Sequence, residues 1–254
     1  MMTGRPLLFA HRGASGDAPE NTLAAFELGW KHGADGLECD VHLTRDGRIV
    51  CLHDANTRRT TGVARAVARA TWDDLRKLDA GRWKAPRWAG RRIPLLSEVL
   101  AALPRGKQIQ IEIKSGPALV PRLVPLLRAL PQYRRRVWVI AFDRDVLRAV
   151  KRAAPELRTL WLTAYTCAKS GARWRPARAE ILATLADLGA DGLGSHAHRA
   201  LTPALVRDLR ARGLACFVWT VDRVDVARRL IRLGVDGMAS NRPGRLRARL
   251  GWRR

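Results

Sequence analysis

Short apolar runs alternate with amphipathic stretches along almost the whole chain. Strand-length runs fall at 7–10, 36–41, 109–113, 137–141, 158–162, 191–194, 215–220 and 237–240. The segments between them carry apolar residues at helical spacing. Asp143 is placed to cap a helix over 144–154 that Pro155 ends. Thr202 is placed to cap a helix with Pro203 in its first turn, and Asp222 one over 223–233. Three junctions share a G-x-D-G form: Gly33-Ala34-Asp35-Gly36, Gly189-Ala190-Asp191-Gly192 and Gly234-Val235-Asp236-Gly237. The first Gly of each suits the left-handed residue that ends a helix, and a strand follows. Strands alternating with helices imply a parallel sheet, and eight such units predict a closed (β/α)8 barrel. An open doubly wound sheet is the alternative, but no G-x-G-x-x-G opens a helix after the first strand.

One segment departs from the repeat. Arg45-Asp46-Gly47-Arg48 reads as a tight turn, so the strand at 48–52 returns antiparallel. Residues from about 42 to 96 are therefore expected to form a small insertion after strand two of a single barrel domain over 1–254. Trp72, Trp83 and Trp88 are expected to pack its core, or in part to line an entrance.

The 254 residues suit one such barrel, and no apolar run approaches the ~20 residues that span a bilayer. The N-terminus has no long apolar segment of the secretory kind, so a cytoplasmic enzyme is expected. The four cysteines form no C-x-x-C pair, and Cys39, Cys51 and Cys216 read as small buried hydrophobes. Lys and Arg total 47 against 23 Asp and Glu, a formal charge of +24. Such a field serves nucleic acid, an anionic membrane or an anionic substrate. The arginines are spread over helix faces, as at Arg144, Arg148 and Arg152 or Arg223, Arg228, Arg229 and Arg232, and no zinc-finger or RNA-recognition signature is present. No specific nucleic-acid partner is expected. Residues 245–254 form the one dense basic patch, read as a membrane or nucleic-acid contact or as a frayed charged tail.

The chemistry-bearing residues gather where strands end, which is where barrels of this kind place their active sites. His11 and Arg12 close strand one. Glu38 and Asp40, two apart and so on one side, lie at the end of strand two. Glu112 and Lys114 do the same on the next parallel strand, and Trp219 ends a later one. Three carboxylates aimed into one mouth repel unless a hard cation with oxygen ligands joins them, and Mg2+ or Ca2+ suits that donor set. His11 and His53 are titratable near neutral pH and suit proton transfer. Arg12 and Lys114 offer charge to an anion. His42 and His196 are weaker candidates at the same mouth.

Ala10-His11-Arg12-Gly13 followed by Pro19-Glu20-Asn21-Thr22 resembles the opening of the glycerophosphodiester phosphodiesterases. Glu38-Cys39-Asp40-Val41, Thr44-x-Asp46-Gly47 and Leu52-His53-Asp54 resemble that family's central signature. Pro94-Leu95-Leu96-Ser97-Glu98, Ile111-Glu112-Ile113-Lys114 and Val218-Trp219-Thr220-Val221 resemble its later blocks. The chain is most similar to the bacterial cytosolic type within the phosphatidylinositol-phospholipase-C-like barrels. The resemblance implies a TIM barrel with an insertion after strand two, and hydrolysis of a glycerophosphodiester to sn-glycerol 3-phosphate and an alcohol. It implies one divalent cation on Glu38, Asp40 and Glu112, and His11 and His53 as general acid and base. It assigns Arg12 and Lys114 to the phosphate and Trp219 to the glycerol. A cyclic phosphate made by the glycerol 2-hydroxyl is the expected route, with direct attack by water left open, as are the alcohol and the oligomeric state. A lipid-directed phospholipase-like enzyme at a membrane surface is the alternative; membrane contact is compatible with the first reading but not required. Many relatives carry Asp before Arg-Pro, where this chain has Asn241.

Overall fold

A computed structural model describes residues 5–167 and 174–252. The strands, in chain order, are β1 Leu7–His11, β2 Gly36–Leu43, β3 Ile49–Cys51, β4 Gln108–Ile113, β5 Val137–Ala141, β6 Arg158–Thr163, β7 Thr166–Cys167, β8 Trp174–Arg175, β9 Gly192–His196, β10 Ala215–Trp219 and β11 Gly237–Ser240. Nine of them form one sheet in the order β1-β11-β10-β9-β6-β5-β4-β2-β3, and β1 also pairs with β2. That last pairing closes eight parallel strands into a barrel with helices between them. The ninth, β3, runs antiparallel to β2 with Val41 opposite Cys51, the return that the Asp46-Gly47 turn predicts. β7 and β8 form a separate two-residue hairpin.

All eight parallel strands lie where the sequence places them. The G-x-D-G junctions explain part of this. Gly33, Gly189 and Gly234 all adopt positive φ after a helix. The Asp of each then accepts a backbone N–H from the strand next door: Asp35 from Leu8 at 2.9 Å, Asp191 from Thr159 at 2.7 Å and Asp236 from Cys216 at 2.8 Å. Each carboxylate therefore pins the start of one strand to the start of its neighbour, which helps fix register at the barrel floor. The closing Gly has its own steric reason. A Cβ on Gly36 would lie 2.3 Å from the Phe9 ring, which fills the barrel interior with Trp138, Leu160 and Phe217. A larger aliphatic core lies between the sheet and the helices.

Asp143 and Thr202 cap their helices as expected, accepting from Asp145 N–H and Leu205 N–H. Asp222 does not. The helix Val224–Leu233 begins one residue later, with Arg223 at its cap position and no side-chain cap bond. Asp222 is bonded instead to the end of β11, with consequences for the active site.

Between β3 and β4, short helices pack Val50, Leu52, Val67, Leu75 and Ile93 into their own cluster, with Trp72 against it. The expected tryptophan core is thus an aliphatic one. Trp83 is 39% exposed and lies at a cavity wall instead. The basic C-terminal segment is not frayed through its described part. Its helix Pro243–Arg249 buries Leu246 and Arg247, and the Arg5 guanidinium stacks 4.7 Å from the Trp252 ring. Residues 253 and 254 lie outside the described residues. No helix among the described residues is long and apolar enough to cross a membrane.

Candidate active site

Register brings the carboxylates together. His11 lies beside Glu38 across β1 and β2, and Asp40 lies beside Glu112 across β2 and β4. One oxygen from each of Glu38, Asp40 and Glu112 lies within 4.8 Å of the others, and all three residues are buried. At such separations each ionised pair repels by about 3 kcal/mol even at an effective protein dielectric near 20. Two cations offset part of this. Arg12 Nε stands 3.2 Å from Asp40, and Lys114 Nζ lies 2.6 Å from Glu112 and 3.3 Å from Asp40. Three carboxylates against two cations still leave an excess negative charge in a buried place.

The titration of the group reflects that balance. Burial, then the neighbouring Asp40 and Glu112 charges, holds Glu38 well above the usual carboxylate range. Burial and Asp40 push Glu112 up to about 7, against the pull of Lys114. Asp40 goes the other way. Burial opposes its ionisation, but the charges of Arg12, Lys114 and His53 outweigh it. Glu38 Oε1 is buried with no hydrogen-bond partner, and buried Asp40 Oδ1 has only the Lys114 ammonium at 3.3 Å. Buried acceptors so poorly supplied with donors call for a partner of another kind. Hard, anionic, closely spaced oxygens match a divalent cation, which would also favour the ionised forms of Glu38 and Glu112.

Local backbone strain sets this geometry. Arg12 (φ 54°) and Asn21 (φ 56°) both sit in the left-handed region, at about 1 kcal/mol or more each. The twist at Arg12 aims its own N–H at Glu38 Oε2, 2.8 Å away. Asn21 brackets Asp40, donating from Nδ2 to Oδ2 at 2.8 Å and accepting the Asp40 N–H at 3.2 Å.

The two histidines are held differently. His11 Nδ1 is 2.7 Å from Asn241 Oδ1, which also faces the Ser15 hydroxyl at 2.8 Å. Asn241 Nδ2 donates to Asp222 Oδ2 at 2.7 Å, and Asp222 Oδ1 accepts from the Ser240 hydroxyl and the Asn241 N–H, both at 2.8 Å. Because a carboxylate only accepts, the amide orientation is fixed. Asn241 Oδ1 must then accept, and His11 Nδ1 must donate. The lone pair of neutral His11 is left on Nε2, 3.8 Å from Glu38 Oε2 and facing the cavity. Burial and the Arg12 charge lower the His11 pKa, favouring that neutral form.

His53, on the return from β3, has Nδ1 2.7 Å from Asp54 Oδ1. Arg59, then His53, holds Asp54 down to about 2, so this partner is anionic. Arg59 also reaches Glu20 at 2.7 Å, and Glu20 accepts from Arg12 at 3.1 Å. An ion-pair chain therefore runs from His53 to Arg12.

All eight expected site residues line or border one mouth. His11, Arg12, Glu38, His53, Glu112, Lys114 and Trp219 line a cavity of about 250 Å³. Its far wall is Phe142, Leu162 and Trp219, with the Phe142 and Trp219 rings meeting edge to face at 5.5 Å. Trp219 Nε1 donates to Gly194 O at 2.9 Å, so the indole turns an apolar surface to the cavity. His42 is buried and donates to the His53 carbonyl at 3.1 Å, supporting the loop that carries His53. His196 is exposed, its ring 5.3 Å from that of Trp219, and has no carboxylate partner among the described residues. The sequence reading missed Asn21, Asp222, Phe142 and the Arg59–Glu20 bridge; Asn241 drew notice only as a departure.

Residues 11–245 match the model of the glycerophosphoryl diester phosphodiesterase family. A glycerophosphodiester phosphodiesterase of Caldanaerobacter subterraneus subsp. tengcongensis is 37% identical over 244 residues, 94% of this chain and 95% of that protein. One from Bacillus subtilis is 33% identical, covering 94% of this chain and 84% of its own length. Among solved structures, an Oleispira antarctica phosphodiesterase in complex with the product sn-glycerol-3-phosphate superposes with a TM-score of 0.85 at 26% identity, covering 97% of each chain.

Proposed function

The chain belongs to the glycerophosphoryl diester phosphodiesterase family, and from that premise we propose a metal-assisted hydrolysis in which His11 and His53 move the protons. The substrate is a glycerophosphodiester, and the products are sn-glycerol 3-phosphate and an alcohol. The single observation that carries the reading is the close set of Glu38, Asp40 and Glu112 with a histidine on either side in one mouth. The complex of the Oleispira antarctica phosphodiesterase with sn-glycerol-3-phosphate supports the choice of product.

Glu38, Asp40 and Glu112 would hold one Mg2+ or Ca2+. When bound, such a cation supplies Lewis-acid charge that polarises a phosphoryl oxygen and acidifies a nearby hydroxyl. Arg12 and Lys114 place positive charge against the phosphate from opposite sides. The apolar wall of Phe142, Leu162 and Trp219 suits the carbon face of glycerol.

The backing groups divide the proton work. Neutral His11 carries its lone pair on Nε2 and can only accept there, so it takes the proton of the glycerol 2-hydroxyl. The 2-oxygen attacks phosphorus, the bond to the alcohol breaks, and a five-membered cyclic phosphate forms. His53 has the Asp54 carboxylate behind its Nδ1 to orient the ring, and gives its proton to the leaving alcohol. The roles then reverse. His53 takes a proton from water, the water oxygen opens the ring, and His11 returns its proton to the 2-oxygen.

The test is release of glycerol 3-phosphate from a panel of glycerophosphodiesters, followed with EDTA and with Mg2+ or Ca2+ added back. Product that is lost with chelation and restored by metal is expected. No product from any diester would overturn the reading.

A further inference from the structure

A second cavity lies on the outer side of His11 and Arg12. It has a volume of about 410 Å³ and shares only those two residues with the apolar-walled one. A phosphodiester has two arms. With phosphorus beside Arg12, the carbon-lined cavity takes the glycerol and the scissile oxygen, which His53 must reach, and the outer one is open to the far end of the alcohol.

The outer chamber has a distinct chemistry. Lys84 reaches in from the segment between β3 and β4, and its Nζ donates to the Ser15 carbonyl at 2.6 Å, with no carboxylate partner among the described residues. The Arg242 guanidinium has no hydrogen bond or ion pair among the described residues. It lies along Gly16, where a Cβ would come 2.4 Å from Arg242 Cγ. The groups that could greet a cation are already engaged. Glu20 is held by Arg12 and Arg59, and Asp222 by Ser240 and Asn241. The Trp83 ring has Lys84 at 5.7 Å and Arg59 at 6.0 Å from its centroid. The chamber therefore has cations to spare, while its carboxylates and aromatic ring are taken.

We infer that this chamber binds the alcohol of the substrate and selects alcohols bearing a second anionic group, a phosphate above all, over those bearing a quaternary ammonium. The inference rests on the diesterase reading of the adjoining site and names its substrate class. The anion sits between Lys84 and Arg242, and a choline-like group meets the same two charges as repulsion.

The experiment compares sn-glycero-3-phosphocholine, glycerophosphoglycerol and a glycerophosphodiester whose alcohol is itself a glycerol phosphate. Loss of each diester is followed by phosphorus NMR, in the wild type and in Lys84→Glu, Lys84→Met and Arg242→Gln. The phosphate-bearing substrate is expected to have the highest kcat/KM. Each variant should shift its advantage over the choline diester by about tenfold, or 1.4 kcal/mol, with Lys84→Glu shifting it most. Turnover of the choline diester should rise as the Trp83 face and the chamber charge are freed, a crossing that a misfolded variant would not produce. Equal rates on all three substrates, or variants that lower all three alike, would overturn the alcohol assignment while leaving the hydrolysis intact. Inactivity on every diester in the wild type would instead overturn the diesterase reading, and the chamber's role with it.

Discussion

His11 Nδ1 meets an amide oxygen, Asn241 Oδ1, at 2.7 Å, and the carboxylate behind that amide fixes which way it faces. Asp222 is thus one residue removed from the imidazole that it orients. The negative charge behind His11 is supplied from the loop after β10, through Asn241.

Asn241→Leu removes the acceptor that holds the Nδ1 proton. We expect kcat to fall by about a hundredfold or more with KM little changed, since tautomer and orientation matter most in the transition state. Asn241→Asp should retain most activity, because an oxygen still faces Nδ1. Asp222→Asn should fall between them, as the amide can then turn. Steady-state kinetics on one soluble diester separates the three.

His11→Ala and His53→Ala should each lower kcat by about a hundredfold to ten-thousandfold, the range for a positioned acid or base. Asp54→Asn should cost less than His53→Ala, since it removes only the anion behind the ring. Turnover within threefold of wild type in either alanine variant would contradict the proton assignment.

With Glu112 pushed up to about 7 from an ordinary 4.5, the folded state keeps a proton that the unfolded chain releases. Stability present below pH 4.5 is therefore lost as pH rises through about 7, and the curve then levels. Glu38 acts in the same sense. For Glu112 alone the loss is about 3 kcal/mol. Urea unfolding of chelator-treated protein at several pH values should show this slope. Glu112→Gln should flatten it, and saturating Mg2+ or Ca2+ should reverse it by favouring the ionised carboxylates.

Asp236→Ala leaves the Cys216 N–H without its acceptor at the start of β10. A cost of about 1–3 kcal/mol is expected. For a protein of this size that lowers Tm by roughly 2–4 °C per kcal/mol. Calorimetry of the variant, with activity per folded molecule unchanged, checks it.

The barrel was legible because its signals are local and repeated. Each G-x-D-G junction carries a left-handed Gly, a carboxylate for the neighbouring strand and a closing Gly with no room for a Cβ, against the Phe9 ring at Gly36, the Phe217 ring at Gly237 and the Ala215 backbone at Gly192, so helix end and strand start are both written in four residues. The gathering of Glu38, Asp40 and Glu112 was legible because strand parity places them on one side of neighbouring strands. What escaped were partners distant in sequence. Asp222 read as a helix cap because a local use for its oxygens was visible and the distant one, across β10 and β11, was not. Trp83 read as core because composition alone does not show which tryptophans an aliphatic cluster leaves outside. Phe142 carries no polar group to draw notice, and its place at the mouth comes only from following the end of β5.

Trp83 and Lys84 reach the chamber from outside the barrel sheet, whereas His11, Arg12, Lys114 and Arg242 stand on or just past strand ends and His53 on the β3 return. Part of the proposed choosing is thereby carried apart from the proposed cutting. Exchanging only the stretch around Trp83 and Lys84, well past His53, leaves the barrel ladders and the proton-moving histidines whole, so the alcohol can be re-addressed without rebuilding the chemistry.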